Sequence, residues 1–343
     1  MRNSRRSGQS ITIASVAERA GVSPMTVSHV LNGTKSVRDA TRAAVMRAVE
    51  ELGYVPNAAA RSLASARSTR IGIVYRNAQN AFLSAMLVGA LNAGARAGAQ
   101  IIIRKCDDLS AGAALEAVTA LVRSGASAIL LAPPYSELLS GNPIIARLGV
   151  PMVAIACGRA LPDMDVVGID EKAAATDMTR HLLERGYRRI AFVMGPASHS
   201  ASKARFEGYG AALAEQGLAI DPALIQLGDF TFEAGLAAGA SLLDSASPPD
   251  AIFASNDDMA AGVVLSAHRR GLRIPQDVAV AGFDDAPIAV KIWPPLSTVR
   301  QDIDEMADQA TERLVARHRA KPGEQEPFRA DWRPHRLVLR EST

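Results

Sequence analysis

From Ile71 onward the chain alternates short apolar runs with Ala- and Leu-rich stretches of helical period, which restricts the fold more than any other feature. The runs IGIVY (71–75), QIIIRK (100–105), AILLAP (128–133) and PMVAIA (151–156) come first, then IAFVMG (190–195), AIFASND (251–257) and VAVAGFDD (278–285). Helical segments at about 83–97, 111–123, 172–185, 202–216, 233–244 and 258–270 lie between them. Strands covered by helices on both faces read as continuous apolar runs, so the pattern predicts parallel sheets built from right-handed βαβ units. Four strands precede residue 160 and at least three follow 189, which fits two doubly wound lobes better than one very large sheet. Ligands of such sheets bind beyond the carboxyl ends of the strands, and two facing lobes place them in the cleft between.

The first seventy residues follow another pattern. Thr12 to Asn32 reads as two short helices joined by a tight turn. Thr12 caps the first, Gly21 ends it, and Ser23-Pro24 starts the second with a hydroxyl cap and a residue that needs no N–H donor. Ala17, Ala20, Val22, Val27 and Val30 fall at packing intervals. This is a helix-turn-helix, whose second helix lies in a DNA major groove. Asp39 to Leu52 predicts a third helix with Ala43, Val45, Met46, Val49 and Leu52 on its packing side. Asn57 to Ala66 predicts a short Ala-rich helix that cannot stand alone. Residues 1–70 carry eleven Lys/Arg against four acids, a balance of +7. The whole chain is +3, so the remainder carries −4 and only the head suits a polyanion.

The 343 residues, 48% of them hydrophobic, suffice for two or three domains. Cys106 and Cys157 form neither a disulfide framework nor a metal spacing and read as buried thiols. No apolar run reaches the ~18 residues of a membrane span, and MRNSRRSGQS lacks the apolar stretch of an export signal, so a cytoplasmic chain without a membrane partner is expected. The strand ends carry Arg76, Asn80, Asp107, Asp108, Asn256, Asp257, Asp258, Asp284 and Asp285. No GxSxG, Walker A, HExxH, CxxC or GxGxxG motif accompanies them, so no catalytic residue, metal or cofactor is expected. One acid of each pair, Asp257-Asp258 and Asp284-Asp285, is expected to cap the following helix. Carboxylates, amides and a guanidinium, with Phe82 and Phe230 as flat apolar faces, suit a polyhydroxylated ligand.

The head TIASVAERAGVSPMTVSHVLNG, the segment YVPNAAARSLA and the motifs SASKARFEGY, FASNDDMAAG, DVAVAGFDD and PPLSTVRQD together resemble the lactose-repressor (LacI) family of bacterial regulators over essentially the whole chain. The resemblance implies an all-α helix-turn-helix head (1–56), a hinge helix and linker (57–70) and an α/β core (71–343). The core would be two doubly wound parallel-sheet lobes like periplasmic sugar-binding proteins, with three crossings. Lobe one would take about 71–168 and 301–327, lobe two about 169–300 and 328–343.

The resemblance also implies site residues. Pro24, Met25 and His29 match base-reading positions, and Thr26, Ser28 and Asn32 match backbone contacts, with Thr12, Ser23 and Tyr54 counted beside them. Leu63 matches a leucine that wedges into the central base step, accompanied by Asn57, Ala60 and Arg61 in the minor groove. Arg205, Asn256, Asp284, Phe230 and Gln301 match effector contacts, and Arg76, Asn80, Phe82 and Asp107 fall at effector-facing positions of lobe one. Three positions depart from the family pattern: Pro24, Arg38 where a capping Ser is usual, and Ala156-Cys157 where many relatives carry an acid. The implied partners are a near-palindromic double-stranded operator, a second copy of the chain and a small effector. The chain ends at RLVLREST without a leucine-heptad tail, which favours a dimer. A sugar inducer that parts the hinges and releases DNA is the commoner family case. A purine-like corepressor is the alternative, and a solute-binding protein or sugar-active enzyme the rival classes.

Overall fold

In the computed structural model, residues 11–32, 37–54, 69–76, 81–321, 323–324 and 326–343 are described. The chain divides into two compact units, Met1–Ser68 and Thr69–Thr343.

The first unit contains α1 (Ile13–Ala20), α2 (Pro24–Asn32) and α3 (Asp39–Leu52). Thr12 and Ser15 form a reciprocal capping box at the start of α1, and Gly21 ends it in the left-handed conformation at φ 66°. Val16, Ala17, Val27, Val30, Val45 and Ala48 form the core. Burying a valine of this kind stabilises by about 1.5–3 kcal/mol, so a core this small has little to spare. The packing face of α3 differs from the expected one. Ala43 and Met46 are exposed, because Val45, Ala48, Val49 and Leu52, spaced at helical intervals, face the neighbouring helices instead. Arg38 precedes α3 without a side-chain cap.

The second unit begins with β1 (Arg70–Tyr75), α4 (Ala81–Ala97), β2 (Gln100–Lys105), α5 (Ala111–Arg123) and β3 (Ala128–Leu131). It continues through α6 (Tyr135–Leu139), α7 (Pro143–Arg147), β4 (Met152–Ile155), β5 (Asp165–Ile169), α8 (Glu171–Glu184), β6 (Ile190–Met194) and α9 (Ser200–Glu215). Then come β7 (Ile225–Leu227), α10 (Phe232–Leu243), β8 (Ala251–Ala254), α11 (Asp257–Arg269), β9 (Ala279–Asp284) and β10 (Ser297–Arg300). Helix α12 (Ile303–Arg319) and strands β11 (Ala330–Arg333) and β12 (Arg336–Val338) close the chain.

Two six-stranded sheets result, in the orders β11-β5-β4-β3-β1-β2 and β12-β10-β9-β8-β6-β7. All pairings are parallel except that of β12 with β10. Strands β3, β4 and β8 are buried along their whole length, which is why they read as unbroken apolar runs, whereas β5 (DVVGI), equally buried, opens on Asp165 and was not among the expected strands. The chain passes between the sheets three times: after β5, after β10 and between β11 and β12. The last passage corrects the expected boundary at 327/328. Ala330–Arg333 pairs with Val166–Ile169, so β11 stays in lobe one and the crossing falls at Pro334-His335.

Candidate functional sites

Helix α2 of the head has an inner and an outer side. Val27 and Val30 are buried, while Pro24 and Met25 are exposed, Met25 by 70%. Ser28 and His29 are half-buried beside them. Thr12 Oγ1 accepts the Ser15 N–H, and Ser23 Oγ accepts the Thr26 N–H and pairs with Thr26 Oγ1 at 2.9 Å. The Ser23–Thr26 bond uses one of the two hydroxyl protons and leaves the other to donate, so capping and a phosphate contact are compatible. Tyr54 packs against the head core. The side chain of Asn32 and residues Asn57, Ala60, Arg61, Leu63 and Asn80 lie outside the described residues.

In the second unit, two adjoining cavities lie between the lobes. The outer one, about 510 Å³, is lined by Arg76, Phe82, Asp107, His199, Asp229 and Phe230, among others. The inner one, about 90 Å³, is lined by Phe82, Arg205, Phe230, Asn256, Asp284 and Gln301, among others. Phe82, Pro133, His199 and Phe230 line both and form the wall between them. Each expected effector contact that is described reaches one cavity or the other, whereas Asp108, Asp257, Asp258 and Asp285, also expected at the strand ends, line neither. His199 was missed in the sequence, as was Tyr75. Each lies at or just beyond the carboxyl end of a strand, β6 or β1, and that position was the available signal.

The inner cavity is built from side chains held by the framework. Arg205, on α9, donates from Nε to Glu171 Oε2 at 2.7 Å and from Nη1 to the Ser255 carbonyl at 2.5 Å. Its guanidinium lies 3.6 Å over the Phe283 ring. Burial works against its charge, but Glu171 and Asp284 more than offset this and its pKa lies above the ordinary arginine value. Its Nη2 stands 3.9 Å from Asp284 Oδ1, beyond hydrogen-bonding distance. Gln301 Nε2 donates to Asp284 Oδ1 at 2.6 Å, and Gln301 Oε1 is buried without a partner. Burial pushes the Asp284 pKa up to about 7, against the opposing pull of Arg205 and Gln301.

Asn256 is mainly structural. Its Oδ1 caps α11 through the Met259 N–H at 3.0 Å, and its Nδ2 donates to the Phe230 carbonyl at 3.1 Å. The capping role expected of Asp257 or Asp258 thus falls to Asn256. Asp257 instead is buried, accepting from Thr298 Oγ1 at 2.7 Å and from the Ala286 N–H at 2.6 Å. Asp284 and Asp285 do not cap either, since the turn that follows them begins at Ala286 without a side-chain cap. Asp285 pairs with Arg340 at 2.6 Å.

Backbone strain gathers here. Among the described residues the non-glycine positive-φ positions are Ala156, Phe230, Asp284 and Asp285, three of them lining the inner cavity and the fourth next to it. Such conformations cost of order 1–3 kcal/mol each and persist where the surroundings fix them, commonly at ligand sites. The Phe230 ring also lies on Gly195, where a Cβ would stand 2.4 Å from the ring.

The lobes meet again beside the cleft. Glu137 Oε1, on α6, accepts from Ser200 N at 3.2 Å and from Ser200 Oγ at 2.7 Å, while the Gly158 N–H donates to Ser200 Oγ at 2.9 Å. A Cβ at Gly158 would lie 2.7 Å from the backbone of Ser200 and Ala201, so this clasp requires glycine. Cys157 is buried and shares a hydrogen bond of 3.1 Å with Ser136, which joins the clasp through Glu137.

Comparison with known proteins agrees with this architecture. Residues 12–57 match the bacterial regulatory proteins, lacI family, and residues 179–343 match a periplasmic binding protein-like domain. The chain is 34% identical over 347 residues to the transcriptional regulator CelR of Thermobifida fusca, covering 96% of this chain and 98% of that one. A solved CelR–cellobiose complex is 32% identical with a TM-score of 0.71, covering 97% of this chain and 100% of that one. A lac repressor dimer bound to operator and the anti-inducer ONPF is 26% identical with a TM-score of 0.78, covering 97% and 99%. With a helix-turn-helix head and a two-lobed core matched over nearly the full length, the chain belongs to the LacI family and is a DNA-binding transcriptional regulator, not an enzyme.

Proposed function

We propose that this protein is a cytoplasmic repressor of carbohydrate-utilisation genes, released from a near-palindromic operator by a sugar-like effector in the interlobe cleft. The observation that carries the reading is the inner cavity. Arg205 Nη2 and the Asp284 carboxyl face each other across 3.9 Å without bonding, a donor and an acceptor spaced for adjacent hydroxyls. The cellobiose named in the CelR complex supports a carbohydrate as the ligand class.

The operator contact is assigned to Pro24, Met25 and His29 on bases and to Thr26 and Ser28 on the backbone, with Leu63 as the wedge. Two copies bind together. Val88 and Leu91 on α4 and Ile103 on the edge strand β2 are more than half exposed, apolar and on one lobe, as a homodimer surface would be.

A gel shift of the full chain against its own upstream DNA, with and without sugars, tests the reading. Specific binding that a sugar weakens is expected, and Leu63→Ala should lose specific binding while keeping effector binding. A complex tightened by ligand would make the ligand a corepressor. Equal loss of both activities in folded Leu63→Ala would refute the division of labour between head and core.

A further inference from the structure

We propose that Glu137 is an interlobe latch: from the first lobe it caps helix α9 of the second, keeps Arg205 in place, and favours the same lobe arrangement that the effector favours. This rests on reading the cleft as the effector site. Helix α9 starts without the groups that ordinarily satisfy a helix start. His199 stands at its N-cap position without a side-chain cap, and its first turn carries no acid. The acceptor comes instead from α6 in the other lobe. Glu137 Oε1 accepts the Ser200 N–H at 3.2 Å and the Ser200 hydroxyl at 2.7 Å. A carboxylate at this end also meets the positive pole of the helix dipole. The loop after β4 reads Ala156-Cys157-Gly158, so the acid that many relatives carry there is absent, and the carboxylate at this boundary is supplied by α6.

Each polar group of the latch is matched. Glu137 Oε2 accepts from Ser136 Oγ at 2.7 Å, which leaves the Cys157 thiol to donate to Ser136 Oγ. Burial pushes the Cys157 pKa up, so that thiol keeps its proton. Ser200 Oγ, having given its proton to Glu137, accepts the Gly158 N–H at 2.9 Å. On its other side α9 is fixed to its own lobe. A Cβ at Gly208 would stand 2.2 Å from the Lys172 carbonyl of α8, and Glu171 of α8 pairs with Arg205 at 2.7 Å. A pull on Ser200 therefore reaches Arg205 through little more than one helical turn. The lobes cannot part here without breaking the Glu137 bonds. Latch and effector thus favour one state, and loss of the latch acts on the operator in the direction opposite to the effector.

Hydrogen exchange and operator binding of the full chain, both without sugar, test this. Glu137→Ala should speed amide exchange in the peptide spanning 198–205 at least fivefold. With an effector that releases DNA, the same variant should bind labelled operator at least twofold tighter by fluorescence anisotropy. Glu137→Gln, which keeps an acceptor oxygen, should show smaller changes of the same sign. A residue that only holds its own lobe together would leave the DNA affinity of the head alone. Faster exchange with operator binding weakened at least twofold, in a variant whose circular dichroism is that of the wild type, would keep the latch and overturn release in favour of a corepressor. Unchanged exchange, or faster exchange with unchanged operator affinity, would overturn the latch and leave the effector site standing. If Glu137→Ala does not fold, Ser200→Ala carries the same test with the same signs.

Discussion

The two lobes are built to one plan and furnish the cleft in different ways. Each sheet has six strands, with the same left-to-right logic of early strands at one edge and late crossing strands at the other. The second lobe keeps its cleft groups inside: Arg205 and Asn256 are each 4% exposed and bonded to backbone or to buried partners. The first lobe contributes Arg76 and Asp107, which are exposed, with Asp107 paired only to an exposed lysine. Groups fixed before binding lose little freedom when a ligand arrives, whereas exposed pairs are screened and cheap to rearrange. On the proposed function, the second lobe sets affinity and the first shapes what is accepted.

The sharpest way to break this contrast is Arg205→Ala. It leaves Glu171 buried without its partner, and removing one member of a buried pair costs about 3–5 kcal/mol. Urea melts should show a loss of that size together with loss of effector binding. Wild-type stability would mean that the pair does not hold the lobe. Arg205 is part of the framework and, on the proposed function, also a ligand contact.

Asp284→Asn comes next. A hydrogen bond to a charged group contributes about 1.5–3 kcal/mol, and effector binding should weaken by that order. The pH profile carries a sign. The folded pKa of Asp284, about 7, lies above its unfolded value, so its share of stability is present at low pH and lost as pH rises through 7. A ligand hydroxyl that donates to this carboxyl favours the ionised form, so wild-type affinity should increase from pH 6 to pH 8. The Asn variant should be flat over that range, and an unchanged slope would remove Asp284 from the contact.

Smaller effects follow at the clasp and in the first lobe. Ser200→Ala removes the bridge between Glu137 and Gly158, and effector affinity should shift by about 1 kcal/mol, the net worth of one hydrogen bond. Asp107→Asn should change binding by less than ~1 kcal/mol, as exposed pairs do. If Asp107→Asn matched Asp284→Asn in size, the contrast between lobes would fail.

The same contrast explains what could be read from the sequence. Strands buried on both faces, such as Ala128–Leu131 and Ala251–Ala254, announced themselves as apolar runs. Strands β11, reading ADWR, and β12, reading RLV, did not, because edge and crossing strands carry mixed polarity. Nor does local pattern show that β11 pairs with β5, so the last crossing was placed too early. Arg205 and Asp284 were legible through their motifs. Glu171 was not, since an acid in a helix's first turn ordinarily faces water, and only packing of α8 on α9 buries this one. The capping expected of Asp257 failed for a similar reason: Asn256, one residue earlier, takes the cap and leaves the acid to the interior.

The central claim is that occupancy of the cleft governs the DNA-binding head. Fluorescence anisotropy of the full chain on labelled operator DNA, with and without the saturating sugar that binds it best, tests this most directly. Coupling of this kind is typically 1–3 kcal/mol, so operator affinity should fall by about 5- to 150-fold. A saturating ligand that leaves operator affinity unchanged would contradict the account.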